Sequence, residues 1–282
     1  KIFSLSMAML LLSCASCSKD DATSNNNQNS TNPGSDPNFT IVAHNDAGFS
    51  AFNRKVVVFG IPIYAVSAVE DSRLLHAANI MAQYLDNDED STVDNPAVIT
   101  AMQNNNAFMV MWKNESDLNN MNPPAGMIGQ DLGNDETIAA WHTNGHTGQF
   151  DAALEEVWHI ITHAGFAYAY PSVFGEDAGT SLSNAMDTAR GGQFTSIPDP
   201  YPANAWYTYD DTTCDYNCMA TEYIYWAMTS ILGAQENRLA EIQNEWKLNT
   251  SALVQSTDTA IYNLLTNPQY KMPTVLPDGT YK

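Results

Sequence analysis

The chain has 282 residues, of which 44% are apolar or aromatic, so it can bury a sizeable core as a single folded unit. Acidic residues outnumber basic ones 32 to 11, for a formal net charge of −21. That balance excludes nucleic acid and an anionic membrane surface as binding partners, and suits a soluble protein outside the cell or one that holds cations.

The first segment, Ile2 to Ser13, is an apolar run too short to span a bilayer and shaped like the core of a secretory signal. It ends in Leu11-Leu12-Ser13-Cys14, which resembles a bacterial lipobox. That resemblance implies a lipid-anchored protein at the outer membrane or cell surface, with Cys14 or Cys17 as the lipidated residue. Residues 1–17 are therefore expected to be a signal peptide with its lipobox. Residues 18–38, rich in Asn, Ser, Asp and Thr, read as a flexible tether. Residues 39–282 are expected to form one α+β metal-binding domain. In the exported setting Cys214 and Cys218, four apart, are expected to form a local disulfide, with a zinc-binding pair as the alternative.

Phe39–Ala43 and Lys55–Val66 are rich in β-branched and aromatic residues and predict strands. From Asp71 to Leu85 the apolar spacing predicts a helix, with His76 a satisfied or exposed histidine on it. That helix runs into Asp86 to Pro96, which carries Asp86, Asp88, Asp90 and Asp94 at positions 1, 3, 5 and 9, and Thr92 at position 7. The spacing resembles the calcium loops of EF-hands and dockerin-type repeats. Hard Ca²⁺ takes about six to eight oxygens, which alternate aspartates on a turning loop can supply. Ser91 replaces the usual Gly at position 6, and Ala97 the usual bidentate acid at position 12, which predicts a weak, structural site.

A helix over Ala97–Gln103 follows, opened by Pro96. Ala107–Trp112 predicts a buried strand, Asn114–Gly133 a loop with one short helix, and Thr137–His142 another strand. A turn through His146 then leads into a helix over Phe150–Gly165, capped at Asp151. On that helix Glu155, Glu156, His159 and His163 share an arc about 100° wide, opposite Leu154, Val157, Ile160 and Ile161. Imidazole and carboxylate are both good ligands for zinc, so this face is the candidate metal centre. Phe166–Phe174 reads as an aromatic loop. Helices are predicted over Leu182–Arg190, Met219–Leu232, Asn237–Trp246 and Ser251–Leu265.

Glu155-Glu156-x-x-His159 resembles the His-Glu-x-x-His motif of the zincin metallopeptidases, with its first His replaced by Glu. In the gluzincin branch of that family a Glu on a later helix supplies the third ligand. Glu222, the one acid of the long apolar helix, is its counterpart here. The resemblance implies an N-terminal lobe with a small mixed sheet and the active-site helix, and a mostly helical C-terminal lobe. It further implies zinc on His159, His163 and Glu222, with Glu156 or Glu155 as general base, in a monomeric hydrolase acting on peptides. His142 and His146 could complete a closed structural zinc site instead. The bland alternative for Glu222 is a surface acid, or a partner for Arg190 or Lys247. The rival from another class is a catalytically inactive, calcium-stabilised surface module that binds polysaccharide or protein.

Overall fold

The structure, a computed structural model, describes residues 36–282 together with the backbone of Ser30 and Thr31. The signal-like run, both candidate lipidation cysteines (Cys14 and Cys17) and most of the tether lie outside the described residues. The architecture is α+β, with every strand in the first half of the chain. The strands are β1 (Ser30–Thr31), β2 (Ile41–Ala43), β3 (Arg54–Val58), β4 (Ile61–Ala65), β5 (Phe108–Trp112) and β6 (Gly129–Gly133). They lie in sequence order, antiparallel from β1 to β4 and parallel from β4 through β6. No helix among the described residues is long and apolar enough to cross a membrane.

The first helices are α1 (Asp71–Leu85), α2 (Pro96–Asn104), α3 (Ala140–Thr143) and α4 (Ala153–Ile161). Next come α5 (Ala167–Ala169), α6 (Pro171–Phe174), α7 (Ser181–Arg190) and α8 (Tyr216–Ile231), then α9 (Leu239–Ile242), α10 (Ser251–Thr257) and α11 (Thr259–Leu265). Register explains how the sheet receives them. Val56 pairs with Ile63, Ile63 with Met109 and Met111 with Leu132, so these buried side chains share one face. On that face α1 lies over β3 and β4, while α4 lies over β5 and β6. Tyr64 and Phe108 point the other way and are covered by Phe49, whose ring centroid is 4.0 Å and 4.9 Å from theirs. The helical half is organised on α8, buried along nearly its whole length and packed against α4, α7, α10 and α11. A disulfide joins Cys214 to Cys218 at the start of α8.

Several predicted elements change. The strand over Lys55–Val66 is a hairpin, turned at Phe59 (φ 46°) and Gly60 (φ 87°), two positive-φ residues of the kind a tight two-residue hairpin turn needs. Thr137–His142 is not a strand. The amides of Trp141 and His142 bond back three residues, to Ile138 and Ala139, and Ala139-Ala140 favours the helical turn of α3. Gly129–Gly133, read as loop, is edge strand β6; at Gly129 a Cβ would lie 2.2 Å from the Phe108 ring, so only glycine fits. Phe166–Phe174 is helical, and its aromatic residues Phe166, Tyr170 and Phe174 recur every fourth position along one side. Asn237–Trp246 shrinks to the single turn α9, and Ser251–Leu265 breaks at Asp258, whose carboxylate caps α11.

Candidate metal centre

Helix α4 is apolar on the side that meets the sheet and α1: Leu154, Val157, Trp158, Ile160 and Ile161 are buried. Tyr84 of α1 donates to the Leu154 carbonyl (2.9 Å) and packs its ring on Trp158, which fixes the rotation of α4 about its axis. With that rotation set, the opposite side faces α8. His159, 1% exposed, lies between two carboxylates. Its Nδ1 is 3.4 Å from Glu156 Oε2 and its Nε2 is 3.6 Å from Glu222 Oε2, and neither nitrogen has a hydrogen-bond partner. Glu155, His159 and Glu222 each offer one ligand atom, all within 4.8 Å of one another.

The surroundings hold these groups in place. Gln130 of β6 donates to Glu156, and the Tyr225 hydroxyl bonds Glu155. Glu222 is 3% exposed. Neither cation considered as its partner pairs with it: Arg190 bonds the Phe194 carbonyl and the Tyr201 hydroxyl, and Lys247 bonds the Ala205 carbonyl. Burial, with the charge of Glu156 second, pushes the Glu155 carboxyl up to about 7. Burial likewise pushes Glu222 up to about 8, against the opposing pull of His159. Glu156 is raised well above the ordinary range, by burial first and then by Asp131 and Glu136. Three carboxylates thus crowd one imidazole, an arrangement that stays costly until a cation joins it. The donor set suits a borderline divalent ion. Two ligands held about 2.1 Å from one tetrahedral ion stand about 3.4 Å apart, close to the 3.6 Å between His159 Nε2 and Glu222 Oε2.

His163, expected as a ligand beside His159, lies elsewhere. The chain passes from α4 into a π turn over Thr162–Phe166, so residue 163 no longer follows residue 159 by one α-helical turn. Its Nδ1 lies 2.7 Å from Glu176 Oε2, and the other Glu176 oxygen accepts the Thr221 hydroxyl (2.8 Å). Burial would lower the His163 pKa, but the bond and charge of Glu176 outweigh it and raise it. His142 and His146 do not share a site either. His146 stacks on Trp141 with centroids 4.3 Å apart, in a left-handed backbone position (φ 57°).

His142 instead meets two residues absent from the predicted set. Its Nε2 lies 2.8 Å from Asp151 Oδ2, and His76 Nε2 approaches the same oxygen at 2.7 Å. Asp151 only partly caps α4: its Oδ1 accepts the Ile138 amide at 2.7 Å and the Ala153 amide at 3.4 Å. In the sequence His76 shares a polar stripe with Asn79 and Gln83 that reads as a wet face; the segment at Asp278 and Gly279 covers it, bonding Gln83 and lying against His76.

The acidic loop after α1 also closes on itself. Asp86 is fully buried and accepts the amides of Asp90 (3.2 Å) and Ser91 (2.9 Å) as well as the Tyr281 hydroxyl. Glu89 and Ser91 take positive φ (56° and 69°), so the sharp turn occurs without a glycine. Asp86, Asp88 and Asp90 form a group that could hold a cation. Asp94 and Thr92 stand outside that group: Asp94 accepts the Asn87 amide (2.7 Å), and Thr92 offers its own amide to Asp90. Comparison with protein-family models, with curated proteins and with solved structures finds no match to this chain.

Proposed function

We propose that the chain is a zinc-dependent hydrolase of the peptidase type, lipid-anchored at the outer membrane or cell surface. Glu155, His159 and Glu222 would hold the metal. The observation that carries this reading is His159, buried with both ring nitrogens unpartnered among Glu155, Glu156 and Glu222. The ligand positions are the first and fifth of the zincin-like motif plus the acid of the later helix, with Glu155 where a histidine is usual. His163 leaves the proposed set.

A bound zinc ion would supply Lewis acidity and lower the pKa of water at its open position. The chain's own residues would do the rest. Glu156, partly exposed and held by Gln130 from edge strand β6, is placed to accept a proton and return it to the leaving amine. Tyr225 would orient Glu155 through its hydroxyl. A structural Ca²⁺ on Asp86, Asp88 and Asp90 would stiffen the end of α1.

Elemental analysis of protein purified without chelator tests the metal, and a mixed peptide library tests the chemistry. We expect the native chain to hold one equivalent more of transition metal than Glu222→Gln, and peptide cleavage abolished by Glu156→Gln with metal retained. Less than a tenth of an equivalent in the native chain would overturn the site. Metal retained without cleavage would overturn the enzyme and leave a degenerate, inactive zincin-like site, whereas melting that depends on calcium but not zinc would favour the surface binding module.

A further inference from the structure

The contact of His76 and His142 with one oxygen of Asp151 is unused by the proposed hydrolase, and it joins three separate elements. His76 comes from the middle of α1, His142 from α3, and Asp151 from the residues leading into α4. All three side chains are nearly or wholly buried, at 5%, 3% and 0% exposure. Two imidazoles and a carboxylate converging through Nε2, Nε2 and Oδ2 form a donor set suited to zinc-class divalent ions.

Neither imidazole brings a fixed positive charge, so a wholly buried carboxylate is met here by two neutral-capable rings. Against the cost of burial, the two rings and the Ile138 amide hold that carboxylate well below its ordinary range, so an ion would take over a charge now met by hydrogen bonds alone. His142 Nδ1 is buried with no hydrogen-bond partner, so the ring is held by Asp151 at Nε2 and by packing edge-to-face on Trp141. His76 is crossed on its Nδ1 side by Gly279, where a Cβ would lie 2.1 Å from the nitrogen. Glycine there lets the C-terminal segment close over the ring. A cavity of about 210 Å³ touches the cluster at His76, with Arg73, Glu70 and Thr137 among its other walls.

We propose that His76, His142 and Asp151 form a second, structural site for a divalent transition-metal ion, separate from the Glu155–His159–Glu222 centre. A tetrahedral ion about 2.0–2.2 Å from each ligand would separate the ligand atoms to about 3.3–3.6 Å. The present contacts of 2.7 and 2.8 Å would then widen by small ring shifts. Asp151 stands four residues before Glu155, just ahead of α4, so an ion there would pin the start of α4 to α1 and α3 and hold the other centre's carboxylates in place.

The test uses the full chain carrying Glu222→Gln, in excess Ca²⁺ to occupy the acidic loop, titrated with Co²⁺ and read by visible d–d absorption and bound equivalents. This background separates the two ideas, since loss of the hydrolase centre leaves the second site intact. We expect one equivalent of Co²⁺ to bind with a visible spectrum, displaced by Zn²⁺, and at least a tenfold loss of affinity on adding His142→Ala. Binding below a tenth of an equivalent, or binding unchanged by His142→Ala, would overturn the proposal. Should His142→Ala not fold, ring ¹⁵N NMR of the Glu222→Gln chain decides. Zn²⁺ must then shift Nε2 of both His76 and His142, and unmoved resonances would overturn the site.

Discussion

Glu222 occupies the middle of a helix whose sides are almost entirely buried, where an acid without a counter-ion is disfavoured. Its neighbours on that helix are apolar or hydrogen-bonded: Thr221 donates to Glu176, and Tyr223 donates to Asp258. A neutral isostere should therefore help the metal-free chain while ruining the metal site. In chelator-treated protein at pH 8, Glu222→Gln should raise stability, by roughly 1–4 kcal/mol as when a buried charge is replaced by a neutral group. In metal-loaded protein the same change should lower it, and urea unfolding in both states reads the reversal of sign. At the acidic loop the informative residue is Asp88, exposed and raised in pKa by desolvation and by Asp90 and Asp94. Asp88→Asn should leave the melting temperature in chelator unchanged and abolish the upward shift produced by millimolar Ca²⁺, as differential scanning calorimetry would record.

At the scale of elements, the π turn after α4 is what separates His163 from His159, and its packing is tight. A Cβ at Gly165 would lie 2.7 Å from Val98 Cγ1 and 3.0 Å from Met102 Cγ, both on α2. Gly165→Ala should thus destabilise the protein by about 1–3 kcal/mol through overpacking, measured by denaturant unfolding. Helices α1, α2, α7 and α8 were legible in the sequence because their apolar spacing, Pro96 at the start of α2 and Gly191 (φ 80°) after α7 agree with one another. Strand β6 was not, because Gly129-Gln130-Asp131-Leu132-Gly133 has no β-branched residue and becomes a strand only by pairing with β5. The same limit governs the candidate centre. Glu155, His159 and Glu222 could be gathered from helical spacing plus the oddity of one acid in an apolar helix. His163 could not be excluded that way, since a change of helical pitch leaves no mark on a wheel drawn at 100° per residue. Asp151 read as a simple cap because local spacing cannot reveal that His76, 75 residues away, meets it.

Across the whole molecule, raised carboxyl pKa values become a pH dependence with a definite sign. Glu155 and Glu222 hold protons up to about 7 and about 8 in the metal-free fold, while the unfolded chain releases them near 4.5. The folded state then binds more protons between these limits, so stability falls as pH rises. Chelated protein should melt progressively lower from pH 5 to 8.5, with a shallower slope in Glu222→Gln. A melting temperature that climbs over this range would contradict the burial of these acids. Metal affinity should move oppositely, strengthening with pH as the ligands lose their protons. The final residues tie the two ends of this picture together. Tyr281 donates to buried Asp86, its carbonyl accepts from Asn38, Asp278 and Gly279 offer their amides to Gln83, and Gly279 lies against His76. The last five positions therefore act as a clasp along α1, touching the acidic loop at one end and the histidine pair at the other. A purification handle fused behind Lys282, especially one made of histidines, would pull on that clasp and bring stray ligands beside it. Metal counts for this protein belong on material from which any such tag has been removed.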